Sequence, residues 1–361
     1  MQLQNNNPRY RIDTFFAPSL ENNAIGEDPN KKIKIYLPPG YFSPENETKM
    51  YPTIYFLNGY GVSLEKSSFN TNRVLKKSTS FLMRLMFREA LKHQLTYEKL
   101  DKLITRNEMK PFILVQVDGE LPLPNYFKMK GLTGEIYNKG CMFMNSPYTG
   151  NYEDYTFHDA VKYVDSNFHT KATKSSRAVM GVSMGGYGAL LAGIKHPDTF
   201  NAIVPISPLI DMKAYIKDAT VSPMGVKTLG KEKAEEELRK DLVDSTDTVD
   251  MILFEEHELI ENDEMISDFG TKLDAMDLNL VLNQYPNAFE NVALAFYCEE
   301  KDENGFANHI RVFEEKLKNK NIPCTVDIFS NAFAQKYSSH IFGISFRMKD
   351  GILFCLDNMD S

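Results

Sequence analysis

Tryptophan is absent from this 361-residue chain, and cysteine occurs only four times. The cysteines are scattered, with no C-x-x-C pair and no His/Cys spacing typical of zinc sites, so we expect no metal. Their mostly apolar surroundings are typical of buried, reduced thiols in a cytosolic protein. The four positions are Cys141, Cys298, Cys324 and Cys355.

Long apolar runs and an excess of positive charge are missing as well. No apolar run approaches the roughly 20 residues that a membrane span needs, and residues 1–7 show no basic region followed by an apolar one, as a signal peptide would. The net charge of −8 argues against a general nucleic-acid or anionic-membrane binder. We therefore predict a cytoplasmic protein with no nucleic-acid partner; a secreted protein whose signal peptide has been removed is the alternative.

Strand-like and helix-like segments alternate along most of the chain, which predicts an α/β fold with a mainly parallel sheet covered by helices on both faces. The length allows one large domain with an insertion, 1–361. Predicted strands are 31–37, 52–57, 111–117, 177–180, 202–207, 292–298 and 324–329. Predicted helices are 67–109 (one or two helices), 152–168, 186–195, 308–318 and 341–356.

Residues 209–290 differ from the rest of the chain in charge. This segment carries 20 acidic and 8 basic side chains, and its pattern is that of polar helices. We interpret it as a cap or lid inserted between core strands. A solvated helical decoration without a role at the site is the alternative.

Ser183 lies in the run Gly181-Val-Ser-Met-Gly185, which matches the nucleophile-elbow pattern G-x-S-x-G. A serine hydroxyl is a weak nucleophile until a base takes its proton and a sharp turn exposes it, and only glycine fits two residues before and after. The flanks agree, because 177–180 is a short apolar strand and 186–195 a helix rich in small residues. The alternative is a Gly-rich turn whose serine faces solvent.

A nucleophilic serine needs a histidine base, which follows the serine in α/β-hydrolases. His340 comes after the last predicted strand and a loop, 330–339, and directly precedes the last helix. A loop there would reach the carboxyl edge of the sheet. The other histidines after Ser183 are expected to have structural positions only. We place His196 at the end of a helix, His257 in the solvated acidic insert and His309 on the surface of a helix.

The acid that orients the base should follow the strand ending at Cys298. Several carboxylates stand there, and we choose Asp302. Glu300 is the second candidate, and Asp211, after the preceding strand, is the third.

Stabilising the developing oxyanion requires two backbone N–H groups. One should come from Met184, the residue after the nucleophile. For the other we choose Tyr60, because Gly59 and Gly61 would let the backbone approach a substrate closely. An ordinary glycine turn is the alternative.

Taken together, these pieces resemble the esterase D–like α/β-hydrolases, a group that includes S-formylglutathione hydrolases, tributyrin-type and feruloyl esterases, and the antigen 85 mycolyltransferases. The resemblance implies the α/β-hydrolase fold, a triad of Ser183, Asp302 and His340, and oxyanion roles for Tyr60 and Met184. The segments that carry it run in the order of the family: 35–41, 55–59, 145–147, 152–155, 181–189 and 207–208.

Departures from the family pattern bear on the substrate; they include Glu299-Glu300-Lys301 near Asp302, where the family usually has glycine and a second acid, and an acidic insert longer than usual. Two more lie beside the predicted catalytic groups. Asn58 stands where many members have histidine, and Ser338-Ser339 where many have two glycines before the catalytic histidine. Neither removes a catalytic group, but both affect the surroundings in which a substrate would bind.

The sequence thus predicts a serine carboxylesterase that hydrolyses a small-molecule ester, with a short-chain acyl or a carbohydrate or aryl group, through an acyl-serine and without a cofactor. Acyl transfer to a sugar or thiol and an S-formylglutathione-type thioesterase are the alternatives, and a non-catalytic binding protein is a more distant one. Assembly into a homo-oligomer is left open.

Overall fold

The structure, a computed structural model, describes residues 7–23, 28–60, 62, 64, 93–121, 139–146, 150–211, 214–215 and 274–360. Its strands are β1 (Tyr10–Phe16), β2 (Asn30–Tyr36), β3 (Thr53–Leu57), β4 (Ile113–Val117), β5 (Glu120–Leu121), β6 (Lys139–Gly140), β7 (Asn145–Ser146), β8 (Gly150–Asn151), β9 (Arg177–Val182), β10 (Ala202–Ile206), β11 (Ala293–Glu299) and β12 (Thr325–Phe329).

The helices follow the same order along the chain. They are α1 (Tyr97–Thr105), α2 (Tyr152–Asp154), α3 (Ala160–Asn167), α4 (Met184–Lys195), α5 (Leu278–Val281), α6 (Phe306–Asn319), α7 (Ala332–Tyr337) and α8 (Ser339–Asp357). A π-helical turn, Tyr155–Asp159, joins α2 to α3.

Eight strands form the central sheet in the order β1-β2-β4-β3-β9-β10-β11-β12. The pairs β1–β2 and β2–β4 are antiparallel, and the other five pairs are parallel. Every residue of β3, β4, β9 and β10 is buried, which accounts for their mainly apolar sequences. The mainly parallel sheet confirms the predicted fold class.

Helices cover both faces of this sheet. On one face α4 packs in the same core as Tyr55 and Val179. On the other face α8 lies so close that a methyl group added at Gly351 would stand 2.8 Å from Met180 Cε. Two separate apolar cores result, one on each side of the sheet.

The carboxyl ends of the parallel strands meet at one edge of the sheet. Leu57 pairs with Gly181, Val182 pairs with Ile206, and Glu299 pairs with Phe329. The loops that follow β3, β9, β11 and β12 therefore leave the sheet side by side, and in an α/β sheet this edge is where a site forms.

Three local findings differ from the sequence-based expectations. β1, which the sequence analysis did not identify, forms the edge of the sheet and covers β2. The predicted loop 330–339 contains the short helix α7, started by Asn331, whose side chain accepts from the N–H groups of Phe333 and Ala334. Of the predicted helical segment 67–109, residues 67–92 lie outside the described residues, and α1 accounts for part of the rest.

Most of the predicted insert, 209–290, also lies outside the described residues. Its last part packs into the core beside α4: Met276, Leu278 and Phe289 are buried, and the Phe289 N–H donates to Gly193 O. A lid formed by the rest of the insert stays a prediction. Among the described helices, none has the length and apolar character that crossing a bilayer would require.

Candidate active site

Ser183 occupies the sharp turn between β9 and α4. Its φ of 55° and ψ of −117° are unusual for a residue with a side chain. A Cβ added at Gly181 would stand 1.9 Å from Gly185 O, and one added at Gly185 would stand 2.0 Å from Leu57 O. Only glycine fits at both positions, so the turn that presents the serine depends on them.

Backbone contacts hold this turn against its neighbours. The Ser183 N–H donates to Ile206 O over 3.0 Å, and Ser183 O accepts from Tyr187 N over 3.1 Å. A Cβ added at Gly59, in the loop after β3, would stand 3.4 Å from Ser183 Cβ. The nucleophile candidate and the loop predicted to hold the oxyanion are therefore direct neighbours.

His340 and Asp302 form a hydrogen-bonded pair at the same edge. His340 Nδ1 lies 2.8 Å from Asp302 Oδ2; the Asp302 side chain is 0% exposed and that of His340 14%. Because an ionised carboxylate only accepts hydrogen bonds, Nδ1 carries the proton, and the neutral ring keeps an unprotonated Nε2 that can act as a base.

The Asp302 carboxylate is held from two further sides. Asp302 Oδ1 accepts from the Asn304 N–H over 3.0 Å. The buried Cys298 thiol lies 3.8 Å from Oδ2, the oxygen that contacts His340. These contacts orient the carboxylate toward the imidazole before any substrate binds.

The structure brings the acid and base together, but among the described residues no hydrogen bond connects Ser183 Oγ to His340. In ligand-free enzymes such bonds are often long and tighten only in the complex with substrate. The catalytic role of the three residues therefore stays a proposal.

The other two acid candidates point elsewhere. Glu300 forms a salt bridge with Arg311 over 2.6 Å, and both side chains are more than 40% exposed. Asp211 Oδ1 accepts from the Ala214 N–H over 2.9 Å. Neither carboxylate contacts His340.

Of the other histidines, His309 differs from expectation. Predicted at the surface, it is 4% exposed. Its Nδ1 lies 3.4 Å from the N–H groups of Ile210 and Asp211, so it supports the loop after β10. His196 ends α4 as expected and contacts Glu153 Oε1 over 2.9 Å; His257 lies outside the described residues.

The two oxyanion candidates flank the elbow. In the described part of the chain, neither the Tyr60 N–H nor the Met184 N–H donates to another backbone group. The Met184 side chain is buried against Gly140, where an added Cβ would stand 2.0 Å from Met184 Sδ, and the Tyr60 ring is half exposed beside them. Gly61 lies outside the described residues.

Aromatic rings line the side of His340. The Phe306 ring meets the imidazole edge to face at a centroid distance of 5.3 Å, and Tyr215 follows at 5.6 Å from Phe306. Burial and the negative charge of Asp302 raise the pKa of Tyr215, which keeps its hydroxyl neutral. Next to His340, the Ile341 side chain is 63% exposed. The Phe306 ring is only 3% exposed and packs against the imidazole, so Tyr215, which is partly buried, and Ile341 are the members of this group with surface that an acyl or aryl group could contact.

Sequence reasoning missed Phe306, Tyr215 and Glu303, which contacts the His340 N–H. Glu303 adjoins Asp302, and Phe306 opens α6 in the apolar stripe of that helix, so their positions carried a weak signal. For Tyr215 no signal in the sequence was found. Within the described residues no three His, Cys, Asp or Glu side chains converge as metal ligands would.

The chain has recognisable relatives. Residues 23–305 match the model of the Esterase family, described as "Putative esterase". An endo-1,4-beta-xylanase/feruloyl esterase from Xylanibacter ruminicola is 27% identical over 185 residues, 51% of this chain and 20% of that protein. The match thus spans about a fifth of that relative, which is much longer than this chain.

Solved structures agree on the fold. A ferulic acid esterase, 17% identical, covers 97% of this chain and 97% of its own with a TM-score of 0.52. An S-formylglutathione hydrolase from Agrobacterium tumefaciens, 14% identical, covers 97% and 95% with a TM-score of 0.56. Together with the family match, which extends over most of the chain, they confirm the predicted resemblance. The protein belongs to the Esterase family and has the α/β-hydrolase fold.

Proposed function

We propose that the protein is a serine esterase in which Ser183 is the nucleophile, His340 the base and Asp302 the acid that orients it. One observation carries the proposal: the imidazole of His340 is hydrogen-bonded over 2.8 Å to a fully buried carboxylate, at the sheet edge where Ser183 occupies a strained turn. In such an arrangement the carboxylate stabilises the imidazolium that forms when Nε2 takes the serine proton.

Acylation begins when His340 Nε2 takes the hydroxyl proton of Ser183 and Oγ attacks the ester carbonyl carbon. The carbonyl oxygen becomes an oxyanion and receives hydrogen bonds from the N–H groups of Tyr60 and Met184. The intermediate then collapses, the carbon–oxygen bond to the alcohol breaks, and His340 gives its proton to the leaving alkoxide. Asp302 stays ionised and stabilises the imidazolium.

Deacylation repeats these steps with water. His340 takes a proton from water as its oxygen attacks the acyl-serine, and the second intermediate releases the carboxylic acid and returns the proton to Ser183 Oγ. A sugar or thiol in place of water would give acyl transfer, so product analysis with such acceptors separates the two reactions.

For the substrate, we propose a carboxylic ester with a short-chain or aryl acyl group. The partly buried Tyr215 ring, which packs on Phe306 beside His340, supports an apolar, flat acyl group. The relatives named for feruloyl and ferulic acid ester cleavage point to the same class. A panel of esters from acetyl to hydroxycinnamoyl measures this preference through kcat/KM.

The decisive experiment compares the wild type with Ser183→Ala on p-nitrophenyl acetate and butyrate. We expect the rate to fall by about 10⁴-fold or more, and a fluorophosphonate probe to label only the wild type. Ser175→Ala, which changes a partly exposed serine just before β9, serves as the control and should retain full activity. Undiminished hydrolysis by Ser183→Ala would overturn the proposal.

A further inference from the structure

Glu303, the residue after the proposed triad acid, binds the segment that carries the proposed base. Two segments are involved, the acid loop, residues 299–305, and the base loop, residues 330–340. The Glu303 carboxylate accepts the backbone N–H of His340 over 2.6 Å. It also accepts the hydroxyl groups of Ser338 and Ser339, one on each oxygen. One half-buried carboxylate thus receives three donors from three consecutive residues.

We propose that Glu303 is a positioning residue that fixes the backbone of His340 for proton transfer. The inference rests on the proposed function, because it assigns Glu303 a role only if His340 is the base. Glu303 contacts neither the imidazole nor the nucleophile in the described residues, so its effect would pass through the position of His340.

Two adjacent carboxylates contact His340 at different atoms. Asp302 Oδ2 contacts the imidazole at Nδ1, and Glu303 Oε2 contacts the backbone N–H of the same residue. A bond to the ring alone orients the imidazole but lets it move with its loop. A second hydrogen bond, to the backbone N–H, fixes the point from which the His340 side chain extends. The position of Nε2 relative to Ser183 is therefore set by one contact on the ring and one on the backbone.

The contacts of Ser338 and Ser339 connect the Glu303 carboxylate to α8. The Ser338 hydroxyl also accepts the Ile341 N–H over 3.2 Å and so caps the helix that begins after it. The Ser339 hydroxyl lies within hydrogen-bonding distance of both Glu303 Oε2 and Lys301 O. Glu303 therefore fixes the first turn of α8 as well as the N–H of His340.

Glu299 secures the opposite end of the base loop. Its Oε1 accepts from Asn331 N over 3.0 Å and from Gln335 Nε2 over 2.7 Å. Its Oε2 accepts from Lys301 N over 2.6 Å, within the acid loop itself. The acid loop thus binds the base loop near its start, at Asn331, and at its last residue, His340, and Glu303 provides the contact nearest the proposed base.

Glu300 supplies a matched control from the same loop. It differs from Glu303 in direction, since its carboxylate binds Arg311 at the surface and makes no contact with the base loop in the described residues. Glu300→Ala removes the same charge from the acid loop without touching His340, so general effects of charge can be separated from positioning.

The experiment measures kcat and KM for p-nitrophenyl acetate with Glu303→Ala, Glu303→Gln and Glu300→Ala, each per folded molecule. We expect kcat of Glu303→Ala to fall by about 100-fold, because a displacement of about 1 Å can cost that much. KM should stay within about twofold, since binding of the ester is not altered. Glu303→Gln should recover part of the loss, because its carbonyl oxygen can still accept the His340 N–H, and Glu300→Ala should match the wild type.

A double-mutant cycle and a spectroscopic signal separate positioning from plain stability. The double variant Ser338→Ala/Ser339→Ala should have a lower kcat than the wild type. The same two substitutions should lower kcat less when they are added to Glu303→Ala, because that variant has already lost the contacts. The low-field proton resonance of the His340–Asp302 hydrogen bond should shift or broaden in Glu303→Ala and persist in Glu300→Ala.

Each outcome decides one point. Activity retained by Ser183→Ala overturns the proposed function, and the role of Glu303 with it. Loss of activity in Ser183→Ala, together with an unchanged kcat in Glu303→Ala, overturns the positioning role alone. If Glu303→Ala does not fold, kcat is measured for Glu303→Gln and for the double serine variant instead. Unchanged kcat values in both variants would overturn the inference.

Discussion

His340 Nδ1 lies 2.8 Å from Asp302 Oδ2, and no part of the Asp302 side chain is exposed to solvent. A carboxylate in such surroundings accepts hydrogen bonds strongly because water does not compete for it. The pair therefore determines which imidazole nitrogen holds a proton, and that property can be tested by changing the acid to its amide.

Asp302→Asn should lower kcat by about 10⁴-fold at neutral pH. The amide can donate a hydrogen bond to Nδ1 and so favours the tautomer whose Nε2 carries the proton, which cannot take one from Ser183. The measurement is kcat for p-nitrophenyl butyrate with circular dichroism as a check on folding. Asp211→Asn, which changes a carboxylate that does not contact His340, should retain most of the activity. Equal losses in the two variants would contradict this account.

Gly181→Ala should abolish activity in whatever fraction of the protein folds. The new methyl group would stand 1.9 Å from Gly185 O, so the turn that presents Ser183 must change. Gly193→Ala is the comparison. Gly193 lies near the carboxyl end of α4, away from the turn, and its new methyl group would stand 2.2 Å from the Phe289 ring. Both variants should unfold at lower denaturant concentration, but fluorophosphonate labelling per folded molecule should be lost only in Gly181→Ala. Labelling of Gly181→Ala at the wild-type rate would show that the turn tolerates a side chain.

The Glu303 carboxylate should make the protein more stable at neutral than at acid pH. Burial raises the pKa of Glu303, but hydrogen bonds from Ser338, Ser339 and the His340 N–H outweigh burial, so the pKa lies below its usual value. A folded-state pKa below that of the unfolded chain stabilises the fold above the unfolded value, near 4.3, and this contribution disappears as the pH falls through the lowered folded value.

Urea unfolding of the wild type and Glu303→Gln between pH 3 and pH 8 measures this contribution. We expect the wild type to exceed the variant by about 1–3 kcal/mol at pH 7, as is usual for hydrogen bonds to a charged group. The difference should shrink below pH 4.3. A difference that stays constant over the whole range would assign the effect to packing and not to charge.

The cysteines should be slow to react in the folded protein and unnecessary for catalysis. Burial raises the pKa of the Cys141 thiol to about 12, and it raises the pKa of Cys298 and Cys355 as well. All four cysteines are free, and only Cys324 is partly accessible. A thiol reagent such as DTNB should modify Cys324 first and the other three only after unfolding, without loss of esterase activity.

Cys324→Ser tests that assignment. The native-state reaction of this variant with DTNB should be nearly absent, while the total number of thiols that react in the unfolded protein falls from four to three. Inactivation of the wild type by a thiol reagent under native conditions would indicate a reactive cysteine at the site and would count against a serine nucleophile.

The elbow shows how far sequence reasoning reached. Strand, turn and helix around Ser183 are contiguous, and their signals are local: an apolar run, two glycines at fixed spacing, and a proline after the helix. The structure confirms this strand and this helix, but both come closer to Ser183 than predicted: β9 ends at Val182, two residues after the predicted strand, and α4 begins at Met184, two residues before the predicted helix. Order along the chain was also enough to place His340 at the start of the last helix, although α8 begins at Ser339 and so includes His340 in its first turn.

Choices among neighbouring residues were beyond the sequence. Three carboxylates follow β11, at Glu300, Asp302 and Glu303, and nothing in the pattern says which one faces a histidine almost forty residues later. His309 was placed at the surface, yet its helix carries Phe306, Ile310 and Phe313 on a buried face. That stripe was visible in the sequence and would have predicted a buried histidine.

The sequence by itself determined the fold class, the elbow and the order of the candidate residues, because hydrophobic periodicity and glycine requirements act over a few positions. Only the tertiary structure decided that Asp302 contacts the ring of His340, that Glu303 holds its backbone, and that Glu300 turns to the surface. Those differences arise where two loops from separate strands meet, and which carboxylate loses its water there depends on contacts that no local pattern records.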